Sequence, residues 1–307
     1  MFWDALEILP DTAPHMDPIH LAAFNGHTRM VMKLLAENRN SIDEGDNTGW
    51  NALMWASLNG DEEVAELLLE LGADANVQGG ECGSALQAAS VGGHEEVIQV
   101  LLEQGANANA QGGFYGNALQ AASIGGHENI VQMLLDHGAN ANAQGGVYDN
   151  ALQAASKGGY EKLVQVLLDH GADANAQGGL YGNALQAASM GGHEKVIQML
   201  LDHRADTNAQ GGFYGNALQA ASMGGHEKVV QVLLDHGADA NAQGGDYGNA
   251  LQAASMEGHE KVVQVLLDHG ADANAQGGGY GNALQAASVK GHKKVVQMLQ
   301  AANLPAK

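Results

Sequence analysis

The string ALQAAS begins at Ala85, Ala118, Ala151, Ala184, Ala217, Ala250 and Ala283, each step being 33 residues. One period earlier Ala52 opens ALMWAS, and 34 residues before that Pro18 opens PIHLAA. A fixed period of this length implies one supersecondary unit stacked on copies of itself, each unit burying its apolar face against its neighbours. Nine units then occupy residues 17–307 as a single elongated array, with residues 1–16 left as an N-terminal capping segment and no room for a second domain. Composition fits many small, similar contacts: 43 of the 307 residues are Gly, and Phe, Trp and Tyr together make only 5%.

Each unit reads as helix, tight turn, helix and a glycine-rich finger. In the unit around Asn117, Asn at the N-cap with Gln120 three positions on predicts a capping box. The short helix that follows is mostly Ala and Ser, which permits close backbone approach, and Gly125-Gly126 ends it. The second helix carries Ile130, Val131, Met133, Leu134 and Leu135 as a wide apolar stripe, and Gly138 predicts a left-handed C-cap. ANANAQGGFYG has no helical period and supplies the finger. At the ends, Phe2, Trp3, Leu6 and Leu9 read as a cover for the first unit, and Lys290, Lys293 and Lys294 as a polar last one.

These residues resemble the ankyrin repeat, whose core runs roughly TPLHLAAxxGHxxIVxLLLxxGADVNA. Pro18-Ile19-His20-Leu21-Ala22-Ala23 with Gly26-His27 stands nearest to it, and Gly72-Ala73-Asp74-Ala75-Asn76 matches its closing motif. The resemblance implies an all-α repeat solenoid. The chain departs from the pattern where Thr becomes Asn or Ser, Pro becomes Ala, and His becomes Gln or Met from the second unit onward. The finger reads QGGxYGN in place of a motif with Asp and a later Gly. That dialect resembles the ankyrin arrays of fungal NACHT-type receptor proteins, although no GxxxxGK[ST] phosphate loop occurs here.

Charge narrows the partners. With 13 basic and 35 acidic residues the net is -22, and residues 1–110 hold 18 acids against 3 bases. Nucleic acid is bound largely by neutralising phosphates with Lys and Arg, and anionic membranes attract basic segments, so neither is expected as a partner. No 18-residue apolar run or signal peptide is read from the sequence. The lone Cys82 forms no internal disulfide, which fits a reducing, cytoplasmic setting; the array is expected to be a monomer.

A residue repeated in every unit is first a structural candidate, because an active site is assembled once. The histidines fall into two such series, His27, His94, His127, His193, His226, His259 and His292 at the turn, and His137, His170, His203, His236 and His269 near the second-helix end. Turn-stabilising hydrogen bonds are expected of them, with no metal and no cofactor. Tyr115, Tyr148, Tyr181, Tyr214, Tyr247 and Tyr280 share one finger position and predict a ladder of stacked rings, with a row of ligand-facing hydroxyls as the alternative. Cys82 takes the same place in its own unit.

Positions that vary against this background are better functional candidates. In ankyrin proteins partners dock on the concave side, made by finger tips and first-helix ends. There the resemblance places Phe114, Ile124, Val147, Leu180, Met190, Phe213, Met223 and Met256 as an apolar strip for an unidentified protein partner. The rival is an enzyme or small-molecule binder using the Tyr row with Asp149, Lys157 and Tyr160, three departures concentrated in the fifth unit. A spacer without a specific partner is a third possibility. The balance favours a non-enzymatic scaffold.

Overall fold

The computed structural model describes residues 16–303; the proposed N-terminal cover, Phe2, Trp3, Leu6 and Leu9, lies outside them. The described residues contain eighteen α-helices in nine successive pairs, an all-α repeat solenoid. They divide into two compact units, one ending at Val147 and the other starting at Tyr148.

In the unit ending at Val147 the first helices are Pro18–Phe24, Ala52–Asn59, Ala85–Gly92 and Ala118–Gly125. Their partners are Thr28–Glu37, Glu62–Glu70, Glu95–Glu103 and Glu128–Asp136, with a 3-10 turn at Arg39–Ile42. From Tyr148 on, the first helices are Ala151–Gly158, Ala184–Gly191, Ala217–Gly224, Ala250–Glu257 and Ala283–Lys290. Glu161–Asp169, Glu194–Asp202, Glu227–Asp235, Glu260–Asp268 and Lys293–Ala302 follow them.

The local causes repeat. Asn or Ser before ALQAAS caps the first helix, as where Asn183 Oδ1 accepts from the Gln186 amide at 2.9 Å. Left-handed glycines end it, Gly192 at φ 73° for example, a conformation a Cβ penalises. Along these helices one face is nearly all Ala: Ala187, Ala188, Ala220 and Ala221 are fully buried, so adjacent first helices meet almost backbone to backbone. The second helices supply the bulk, with Ile197, Leu200, Val230 and Leu233 equally buried.

The fingers are narrow loops closed by an isolated antiparallel bridge, such as Gly211 to Gly215 and Gly244 to Gly248. Their double glycine is dictated by the preceding finger: Gly212 sits at φ 61°, and a Cβ there would strike the Tyr181 carbonyl.

Candidate functional site

Three sets of polar bonds bring the fingers into register. First, the Gln of ALQAAS reaches into the following finger at Gln87, Gln120, Gln186, Gln219 and Gln252, and Gln153 does not. Gln219 Nε2 donates to the carbonyls of Ala242, Gly244 and Gly248 at 3.1–3.3 Å; Gln87 does the same to Gly112 and Gly116. In the first repeat His20 takes this role, its Nε2 lying 2.9 Å from the Glu44 carbonyl. Gln therefore replaces His as a bridge between neighbours. The reciprocal capping box is formed at Asn216–Gln219, whereas Oε1 of Gln87, Gln186 and Gln252 makes no hydrogen bond. At Asn117–Gln120, where the sequence predicts the box, the forward half is seen, Asn117 Oδ1 accepting from the Gln120 amide at 2.9 Å, while the Gln120 side chain turns to the next finger, its Nε2 donating to Ala143 O at 3.1 Å.

Second, the Asn closing the AxxN loop segment spans to the following repeat at two points, as at Asn109, Asn208 and Asn241. Asn208 Nδ2 donates to Gly237 O at 2.9 Å and its Oδ1 accepts from the Asp239 amide at 2.8 Å. Asn109 makes the equivalent pair with Gly138 and Asn140. Third, the turn histidines bond backward. His226 Nε2 lies 3.1 Å from Met190 O and His259 Nε2 lies 2.9 Å from Met223 O. Those rings thus tie one repeat to the preceding first helix as well as filling the turn. The second histidine series bonds within its own helix, His236 Nδ1 to Val232 O at 2.8 Å.

With the fingers fixed, their tips are joined main chain to main chain. The Phe114 amide donates to Glu81 O, the Phe213 amide to Leu180 O at 2.9 Å, and the Asp246 amide to Phe213 O at 3.4 Å. The tip side chains project outward: Leu180 is 52% exposed and Phe114 and Phe213 each 40%. Val147 and, at the first-helix ends, Ile124, Met190, Met223 and Met256 are half-buried. The eight candidates therefore divide into three projecting tips and five residues partly covered by their surroundings.

Behind the tips, the tyrosines form the expected ladder over part of its length. Tyr148, Tyr181 and Tyr214 stack at 5.9 and 6.0 Å. At Tyr247 the contact changes, because Phe213 meets that ring perpendicularly at 5.8 Å while also standing perpendicular to Tyr214. Burial, then its two tyrosine neighbours, pushes the Tyr181 hydroxyl up to about 12. Cys82 is buried in the same finger position, and burial together with Glu81 pushes its thiol up to about 12. A thiol so protonated is a poor nucleophile.

The fifth repeat's departures go to different neighbours. Asp149 holds φ 68°, and its carboxyl lies against Gly178; burial raises its pKa, offset in part by a hydrogen bond with Asn150. Lys157 Nζ stands 5.9 Å over the Tyr181 ring. Tyr160 packs along Gly158, where histidines pack in other repeats. Indentations of about 290, 430 and 270 Å³ are found at the turns and outer helices around His259, Val296 and His292, away from the finger tips. Among the described residues no three His, Cys, Asp or Glu side chains are grouped to hold a metal ion.

The ankyrin-repeat models match residues 4–79, 85–178, 151–244, 185–277 and 218–306, with a further match to 61–102. The chain belongs to the ankyrin repeat family. It is similar to the mouse (Mus musculus) ankyrin repeat and SAM domain-containing protein 6, 43% identical over 58 residues, 19% of this chain and 6% of that one. It is also similar to palmitoyltransferase akr1 of Schizosaccharomyces pombe, 36% identical over 70 residues, 23% of this chain and 11% of that one. The chain thus spans about a tenth or less of either relative. Ankyrin repeats are in general protein-interaction modules and non-enzymatic scaffolds. Among the described residues no helix is long and apolar enough to cross a membrane.

One ankyrin repeat carries a polar centre that sequence inspection passed over. Asp46 is buried beneath Trp50 and Trp55, whose rings lie 4.6 Å apart. Its carboxylate accepts from the Thr48 amide and hydroxyl, the Trp50 amide and the Trp55 indole at 2.6–3.1 Å. Burial pushes its pKa up, but these bonds outweigh that and hold it below the usual value. The cue was the change of finger, GDNTGWN in place of QGGxYGN.

Proposed function

We propose that this ankyrin chain binds a protein partner through its finger tips and first-helix ends. Phe114, Ile124 and Val147 contribute up to Val147, and Leu180, Met190, Phe213, Met223 and Met256 contribute beyond it. The observation that carries this is the exposure of Phe114, Leu180 and Phe213 at equivalent tips, where large apolar side chains held on fixed backbone suit a binding anchor. Half-buried methionines beside them give an adaptable floor.

The same proposal takes residues 17–307 as one array capped by 1–16, monomeric, cytoplasmic and without catalytic activity. The acidic balance disfavours nucleic acid and anionic membrane as partners. The QGGxYGN finger is the basis for likening the array to those of fungal NACHT-type receptors.

The test places a photo-crosslinking residue at Phe213, and separately at Gln198 on an exposed second helix, in the source cells. A partner captured from the tip and not from the helix is expected. Phe114→Ala with Phe213→Ala should weaken that partner by about thirtyfold, the effect of losing roughly 2 kcal/mol of anchor contact. Capture from Gln198 alone, or binding untouched by the double change, overturns the assignment.

A further inference from the structure

Finger rings in this protein already receive cations. Lys157 Nζ lies 5.9 Å over Tyr181, and Lys290 Nζ lies 5.9 Å over Tyr280. Both lysines lie in the last turn of a first helix, Lys157 over the ring of the following repeat and Lys290 over that of its own. The residue one period before Lys290 is Glu257, ten positions after Tyr247 as Lys290 is ten positions after Tyr280. The eighth repeat thus presents a carboxylate where the ninth presents an ammonium.

The surroundings of Tyr247 complete the contrast. Phe213 stands perpendicular to it at 5.8 Å, so two ring surfaces meet at a corner. Asp246 is fixed beside them by its amide bond to Phe213 O and is exposed, as is Glu257. Burial, then Tyr214, then Glu257 and Asp246 raise the pKa of the Tyr247 hydroxyl. Ring faces attract cations through their quadrupole, and adjoining carboxylates add Coulomb attraction and hydrogen-bond acceptors.

We infer that Phe213, Tyr247, Asp246 and Glu257 form a subsite for a cationic side chain, an arginine or lysine of a bound peptide segment. Arginine fits best, since its planar guanidinium stacks on a ring while its edge donates to a carboxylate. The inference rests on the binding face proposed above and names its partner's chemistry: an apolar segment carrying a basic residue. The net charge of -22 favours such a partner over an acidic one.

The experiment selects a random twelve-residue display library on the full chain, then measures chosen peptides by fluorescence anisotropy. Arginine or lysine should be enriched at one position flanked by apolar residues. Asp246→Asn with Glu257→Gln should weaken those peptides about tenfold, as should replacing their arginine by neutral citrulline, with no further loss when both changes are combined. Circular dichroism of the variant verifies that it remains folded. Selection of apolar peptides without a basic residue, sensitive to Leu180→Ala and Met190→Ala, would refute the cation subsite and leave the binding face standing. Basic peptides indifferent to Asp246→Asn with Glu257→Gln refute the subsite as well. A library that gives no enrichment, or peptides indifferent to every change on this face, overturns both.

Discussion

Arg204 is one of two described non-glycine residues at positive φ, and its replacement isolates a backbone effect. It holds φ 63° just after the helix Glu194–Asp202, where Gly138, Gly171, Gly237 and Gly270 hold φ 79–83° in other repeats. A Cβ built at those four glycines meets nothing within 4 Å. The penalty at Arg204 is therefore conformational and not a clash. A left-handed residue with a Cβ costs about 1–2 kcal/mol, and Gly returns about 0.4–1 kcal/mol of that through greater freedom of the unfolded chain. Arg204→Gly should stabilise the fold by about 0.5–1 kcal/mol on balance. Main-chain partners are retained: Arg204 O still accepts from Asn175 Nδ2 at 3.0 Å, and the Arg204 and Ala205 amides still donate to Leu201 and Leu200. Urea unfolding gives the total, and amide exchange at His203, Arg204 and Ala205 locates it. Exchange there should slow by about two- to fivefold, the factor matching that free energy, and less in repeats not in contact with it. Unchanged or faster exchange at all three amides, with the urea midpoint unmoved, would refute the backbone account. The reverse change, Gly237→Ala, should lose a similar amount.

Asp149→Gly should stabilise more, by about 1–2 kcal/mol, because it relieves φ 68° and also removes a half-buried carboxyl pressed on Gly178. Both amide atoms of buried Gln153 make no hydrogen bond, and a glycine finger lets Gln153 donate to the next finger as Gln219 does; a gain smaller than that of Arg204→Gly in the same urea titration counts against this. Since Asp149's pKa is raised in the fold, the gain should be largest above that raised pKa and shrink as pH falls toward the unfolded value of about 3.9. Asp46 has the opposite sign. Its depressed pKa contributes stability that is full above about 3.9 and is lost as pH falls through the folded pKa. Asp46→Ala, which orphans the Trp50 amide and the Trp55 indole, should cost about 3 kcal/mol at neutral pH. Thermal melts from pH 7 to pH 2.5 that show a constant gap between Asp46→Ala and wild type would contradict it.

The helices, their caps and their glycine stops were legible because each is fixed by residues close in sequence. Asn183 and Gly192 act on their own helix, and a period of 33 repeats the evidence for them. The roles of Gln219, Asn208 and His226 were not, since their partners lie 23–36 residues away and belong to the main chain, which leaves no complementary side chain to notice. The tip residues were singled out by asking what varies against a constant background. Which of them project was set by packing, so Leu180 and Phe213 emerged as exposed while Met190 and Met223 sank halfway. The corner at Tyr247 escaped notice because it is marked by the Phe213–Tyr247 ring contact and the Asp246–Phe213 main-chain bond, both between residues 33 or 34 positions apart.

The bonds between neighbours also constrain how the length of such a chain can change. From Gln186 on, Gln to finger spans 23, 25 and 29 residues at both Gln186 and Gln219, Asn to the next loop 29 and 31 at Asn208 and Asn241, Lys to Glu 34 and His to helix carbonyl 36. Excising 33 consecutive residues from the interior of this stretch joins a donor to an acceptor of the same kind at the same offset. Removing 32 or 34 sets donors and acceptors out of step at the junction. Gain or loss of a whole 33-residue repeat is therefore the change of length that this bonding pattern accommodates. Each event would carry a different set of tip residues into or out of the binding face while leaving the framework between them intact.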